Sequence, residues 1–278
     1  MTIFVNPLRE TKYSALNLTV GRVIIGAFGA WIVLSYDFGA LADWPEFIMR
    51  QHRLYGGVVG PIAVIQAEQW AAAAMLLAFA AGWQVRVTAT TAALLLIHLG
   101  AVNMTVSNWK VLAFFIYPLL IFALYTARGD RIPRTIRPLQ ITLVMFAIIY
   151  AITGLSKLTR SGVSWFGPGN LRGTILVNAT QHLDGVPRTT EVLLSNDFLL
   201  IIASVATVTL ELAFIVLVLI RAPIGTVMVG LLAMHVIIAV TMGINYVFSL
   251  GAIYLLFVPW EEISGQLRRR FKKLTPRS

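Results

Sequence analysis

An all-α bundle of membrane-crossing helices is what this sequence predicts, and three observations predict it. Of the 278 residues, 58% are hydrophobic and only 12% are charged, against roughly 25% charged in an ordinary soluble domain. Apolar stretches near the roughly 20 residues that a helix needs to cross a hydrocarbon core recur along nearly the whole chain. None of them alternates with the period of two that a lipid-facing barrel strand requires, whereas a helix satisfies its backbone groups within its own segment.

Apolar runs bounded by charges and turn residues place eight spans, at about 16–36, 67–83, 87–106, 109–126, 139–157, 198–220, 223–243 and 245–260. The first apolar stretch begins near Leu16 and is long enough to remain as a span, and no small-residue cleavage site is expected before it. Gly21, Gly26 and Gly29 in that span suit close helix packing, and Arg22 is expected to snorkel to the nearer interface. Two connections, Asp37 to Gln66 and Leu158 to Asp197, far exceed the few residues that usually join helices. Within the first, residues 45–66 include Tyr55-Gly56-Gly57-Val58-Val59-Gly60-Pro61. This piece is either an interfacial helix or a re-entrant one. The expected organisation is one transmembrane domain over residues 1–260, followed by a basic cytoplasmic tail at 261–278.

Orientation follows from the basic residues. With eight spans both termini share a side, and that side carries fourteen Lys and Arg, from Arg9 and Lys12 to the run Arg268–Lys273 and Arg277. The other side carries seven: Arg50, Arg53, Lys110, Lys157, Arg160, Arg172 and Arg188. The positive-inside rule therefore predicts cytoplasmic termini and a multi-pass protein of the cell inner membrane. Arg-Arg-Arg-Phe-Lys-Lys after the last span reads as an anchor for anionic headgroups, each basic residue contributing about 1 kcal/mol.

Composition also excludes chemistry. Cysteine is absent, which removes disulfide frameworks, thiolate metal sites and dithiol electron transfer. The net charge of +10 sits at span ends and in the tail, so no nucleic-acid partner is expected. Of the four histidines, His52 and His182 fall in outer segments and none has HExxH spacing, so no metal site is expected. No repeat of the kind found in secondary transporters is evident.

Ionisable groups deep in a span cost at least about 2.5 kcal/mol on insertion, so each needs a partner or a function. Three fall near mid-depth: His98 in the third span, Glu211 in the sixth and His235 in the seventh. The tight turn Arg221-Ala222-Pro223 makes spans six and seven antiparallel and brings Glu211 and His235 to similar height. The two are either a proton relay or a buried hydrogen-bonded pair that locks two helices, and His98 is either functional or bonded to a neighbouring carbonyl.

The most informative stretch is Tyr150-Ala151-Ile152-Thr153-Gly154-Leu155-Ser156-Lys157-Leu158, with Trp165-Phe166-Gly167-Pro168-Gly169 and Leu171 after it. Lys157 ends an otherwise apolar span. It is either a terminus that snorkels to water or a partly desolvated amine. An amine of the second kind can act as base on a weakly acidic, lipid-soluble substrate, with Trp165 as a flat wall.

At these residues the sequence resembles the HTTM family, the multi-span membrane domain shared with vitamin K-dependent γ-carboxylases: Gly154, Leu155, Lys157 and Leu158, then Trp165 and Gly167. The likeness continues at Glu211 and at His235 with Gly243-Ile244-Asn245-Tyr246-Val247-Phe248, and it is loosest before residue 85. The resemblance implies that Lys157 is a base acting on a reduced quinone, with Glu211 and His235 as further catalytic residues. Trp165, Asn108 and Trp109, with His98 from its depth in the third span, are the substrate-binding candidates. Two departures matter. The carboxylases use a histidine in an outer segment ahead of this span, and Ser107-Asn108-Trp109-Lys110 has none. They also carry a large lumenal domain, whereas this chain continues eighteen residues past Trp260, so protein carboxylation is not expected.

Three function classes stay open on the sequence. The first is an HTTM-like protein that acts on or binds a quinone-like lipid in an outward-facing pocket at Lys157, with a quinone or reduced quinone as the associated cofactor. The second is a proton-coupled transporter using His98, Glu211 and His235. The third is a non-catalytic scaffold that packs against a membrane partner subunit.

Overall fold

The computed structural model describes residues 4, 6–9, 14–39, 61–103, 110–179, 188–242 and 246–274, and among them there are helices and no strands. In chain order the α-helices are α1 (Ala15–Ser35), α2 (Ile62–Ala81), α3 (Val85–Asn103), α4 (Lys110–Tyr125), α5 (Arg137–Ser161), α6 (Pro168–Ala179), α7 (Arg188–Leu194), α8 (Asp197–Leu219), α9 (Gly225–Met242), α10 (Val247–Leu255) and α11 (Trp260–Leu274). A 3-10 turn over Gly162–Phe166 links α5 to α6.

Six of these helices are long and apolar enough to cross a membrane: α1, α2, α3, α8, α9 and α5 with its 3-10 extension. The fourth expected span is α4, sixteen residues long with Pro118 inside it, or about 24 Å at 1.5 Å per residue. The eighth is broken: α10 and α11 meet at a 69° bend, where Pro259 precedes α11 and cannot continue the α10 hydrogen-bond ladder. If α10 and α11 count as one span the total is seven. The Arg268–Lys273 run lies on α11 and thus belongs to a helix with acidic Glu261 and Glu262 in its first turn, an arrangement that suits the helix dipole at both ends. The second expected span begins earlier than the sequence suggests, because α2 takes in Ile62–Gln66; residues 45–60 lie outside the described residues.

The chain divides into two compact units, one comprising Met1–Glu10 and Leu143–Gly251 and the other Thr11–Thr142 and Ala252–Ser278. In the second unit, Ser14 caps α1 by accepting a hydrogen bond from the Asn17 amide at 3.2 Å, which satisfies one of the orphan donors at a helix start. Buried Gln69 of α2 serves the other end of α1, its Nε2 donating to the carbonyls of Val33 at 2.8 Å and Tyr36 at 2.7 Å. Between these ends Gly26 lets the backbones meet: a Cβ there would lie 2.5 Å from the Leu76 carbonyl oxygen. Small residues at close crossings are how helices pack when lipid offers no hydrophobic drive between them. Helix α2 ends at Gly82 in the left-handed region, with φ +81°. Its amide and that of Trp83 return to the last carbonyls of the helix, and α3 folds back alongside.

Arg22 does not snorkel. It is buried, and its Nη1 donates to the Arg131 carbonyl at 2.5 Å. Its guanidinium lies over Gly82, where a Cβ would stand 2.1 Å from Nη1. In the same unit His98 of α3 pairs with Glu68 of α2, both partly exposed.

In the first unit, Asn196 caps α8 by accepting from the Leu199 amide at 3.2 Å, and a short turn through Arg221, at φ 57°, reverses the chain into α9. The Asn6 side chain donates to the Ala222 carbonyl in that turn at 3.1 Å. The long segment after Lys157 folds into the 3-10 turn, α6 and α7, which pack on α8 and α9. Arg172 of α6 reaches both the Leu194 carbonyl and the Asp197 carboxylate. Beneath it Ile175, Leu200 and Met242 form an apolar cluster.

Candidate functional site

The site lies in the unit that contains Leu143–Gly251. Lys157 stands in the last turn and a half of α5, and it does not run out to water. Its Nζ donates to both carboxylate oxygens of Glu211, at 2.5 and 2.6 Å, and the Glu211 side chain is 4% exposed. An isolated carboxylate in an apolar interior is very costly, so the ammonium opposite it is what permits Glu211 to be there. Gly154, one turn before Lys157, makes the approach possible. A Cβ on it would lie 3.1 Å from Glu211 Cβ and 3.2 Å from the Leu212 side chain.

Two further groups frame the pair. The Trp165 ring, carried by the 3-10 turn, lies 5.8 Å from Lys157 Nζ at its centroid, within reach of a cation–π attraction. Tyr150, seven residues before Lys157 on α5, hydrogen-bonds through its hydroxyl to His235 Nε2 at 2.9 Å. Phe214 and Tyr246 pack edge-on against Tyr150 and His235 respectively. Seven residues is about two helical turns, so the two dyads are spaced by about 10 Å along α5.

Lys157, Glu211 and His235 line one cavity of about 370 Å³, with Tyr150 behind His235; the other walls come from α6, α7, α8 and α9 and are mostly apolar. That volume falls within the range of small-molecule pockets. Three polar atoms at its lining are shielded from solvent and lack a hydrogen-bond partner among the described residues: Trp165 Nε1, Ser204 Oγ and His235 Nδ1. Buried polar groups are ordinarily paired, and each unmade bond costs about 1–3 kcal/mol. A ligand with oxygen acceptors would complete all three, since the tryptophan N–H can only donate while the hydroxyl and imidazole can adapt.

The sequence therefore brings Lys157, Glu211, His235 and Trp165 to one place, with a different pairing from the one expected. Glu211 bonds Lys157 and His235 bonds Tyr150, whereas the sequence suggests contact between Glu211 and His235. His98 belongs to the other unit, beside Glu68. Asn108 and Trp109 lie outside the described residues. Sequence reasoning passed over Tyr150, Ser204 and Glu68 as site residues. A signal existed for the first two: Tyr150 is seven residues from Lys157 and Ser204 seven from Glu211, which puts each on the face of its partner. No cluster of three or more potential metal ligands occurs among the described residues.

No protein-family model, curated protein or solved structure matches this chain.

Proposed function

We propose that this chain is a multi-pass membrane protein whose cavity binds, and acts on, a lipid-soluble ring compound with oxygen substituents, a quinone or reduced quinone being the class in view. The observation that carries the reading is the Lys157–Glu211 dyad set into a mostly apolar cavity with unpartnered polar atoms at its wall. Lys157 and Glu211 together hold a proton between an amine and a carboxylate and have room for one more. An acidic O–H of the ligand placed at Lys157 therefore has an acceptor, and Trp165 gives its ring a flat surface. His235, held through Nε2 by Tyr150, offers Nδ1 as the second polar contact. The resemblance of Gly154–Leu158 and Trp165 to the HTTM family supports the same assignment.

The finer topology belongs to this proposal as well: eight crossings with both termini cytoplasmic, in the inner membrane. One contact supports a shared side for the termini: the Glu261 amide at the start of α11 donates to the Asn17 side chain at the start of α1, at 3.3 Å. On that side the basic end of α11 would meet anionic headgroups.

A proton-coupled carrier is the second reading, favoured by Glu211 and His235 lining a common cavity. The deciding experiment is mass spectrometry of lipids that co-purify with the wild type and with Lys157→Ala. A quinone-class species retained by the wild type and lost from the variant supports the first reading. If no such lipid is retained and Glu211→Gln abolishes pH-driven uptake in vesicles, the carrier replaces it.

A further inference from the structure

Beside the cavity lies a second hollow of about 310 Å³ between α7, α8 and α9. Leu193, Ile237 and Thr241 line both spaces, so the two adjoin along these side chains. The remaining lining is Val192, Leu199, Val236 and Val240, with Thr189 at one edge. Val236 and Val240 are about half exposed, which leaves the groove open on its α9 side.

The polarity of the two spaces differs. The cavity has the ion pair and all three unpartnered polar atoms, and none of those atoms belongs to the groove. Thr241, in the shared wall, has its polar groups committed: its hydroxyl donates to the Ile237 carbonyl at 2.7 Å, and its carbonyl accepts from Thr190 at 2.8 Å. The second bond also ties α7 to α9 and so fixes the width of the groove. A ring with oxygens suits the first space and not the second, and a hydrocarbon chain suits the second.

We infer that the ligand of this site is an amphiphile whose single hydrocarbon chain crosses between Leu193 and Ile237 and lies in the groove along Val192, Leu199, Val236 and Val240. This rests on the head-binding reading above and extends it to the part of the ligand that does no chemistry. Because bilayer hydrocarbon is as apolar as the groove, moving a chain from one to the other brings little hydrophobic gain. The groove therefore selects by shape, and blocking it discriminates against chained ligands only.

The test uses the full chain in nanodiscs with ubiquinone-0, which has no chain, decylubiquinone, and a decyl analogue tipped with a diazirine. We expect photolabel from the tip on peptides containing Val192, Leu199 or Val240. We also expect Val240→Trp to weaken decylubiquinone binding by about tenfold or more while ubiquinone-0 changes by less than about threefold. Leu199→Trp closes the same groove from α8 and answers the question if Val240→Trp does not fold. Label confined to other segments, or equal losses for both quinones in a folded variant, overturns the chain assignment and leaves head binding standing. If neither quinone binds the wild type, the head reading falls and this inference falls with it.

Discussion

Lys157 and Glu211 meet through two hydrogen bonds of 2.5 and 2.6 Å across the close approach of α5 and α8, with Gly154 as the residue that admits it. Each group makes the other tolerable. Removing one leaves a buried charge uncompensated, which costs about 3–5 kcal/mol, whereas replacing both by apolar residues of similar volume is often nearly neutral. Lys157→Met and Glu211→Leu should each sharply lower the thermal midpoint of the detergent-solubilised protein, and the double variant should recover most of the loss. Additive losses in the double variant would mean that the two side chains do not interact.

Gly154 gives a second expectation. Gly154→Ala sets a methyl 3.1 Å from Glu211 Cβ, a crowding that neighbours can partly absorb, at about 1–3 kcal/mol. Gly154→Leu cannot be absorbed and should separate α5 from α8. Cross-linking of cysteines introduced at 155 and 212 would report it: efficient in the parent, reduced by alanine and lost with leucine.

The Tyr150–His235 bond should behave like a neutral buried hydrogen bond. Tyr150→Phe strands His235 Nε2 and should cost about 1–3 kcal/mol, while Tyr150→Phe with His235→Phe should cost less than the sum of the two single changes. Thermal unfolding across the four-member cycle measures this directly.

In the other unit the turn from α2 to α3 admits only glycine at position 82. Gly82→Ala meets a φ of +81° and a guanidinium 2.1 Å away, and should destabilise by more than the roughly 1–2 kcal/mol of left-handed strain alone. Pairing it with Arg22→Ala should relieve the clash and leave the strain. An unchanged midpoint for the single variant would show that Arg22 does not occupy that space.

Much of the helical architecture was legible because lipid allows little choice: long apolar runs become helices, and glycines such as Gly26 mark where they touch. Lys157, Glu211 and His235 stood out in the sequence because ionisable residues are rare in such runs. The pairing was not. Glu211 and His235 share a height on adjacent helices, yet height says nothing about which face a residue presents, and the face of α8 that bears Glu211 meets α5. Arg22 was misread for a related reason. Its nearness to a span end suggested water, but the carbonyl of Arg131 and the missing side chain of Gly82 offered a place within the protein. The break after α10 was foreshadowed by Pro259, though composition alone ran the apolar signal through it.

Asn6 and Ala222 are 216 residues apart in sequence and in hydrogen-bond contact in the folded chain. On a ribosome the first of these emerges long before the second exists, so the N-terminal segment must wait, unpacked, until α8 and the turn after it have been synthesised. Closure of this contact is thus a natural marker for late assembly of its unit. A fluorophore pair at the two positions would report maturation of newly made protein at a step that insertion of the individual helices leaves silent.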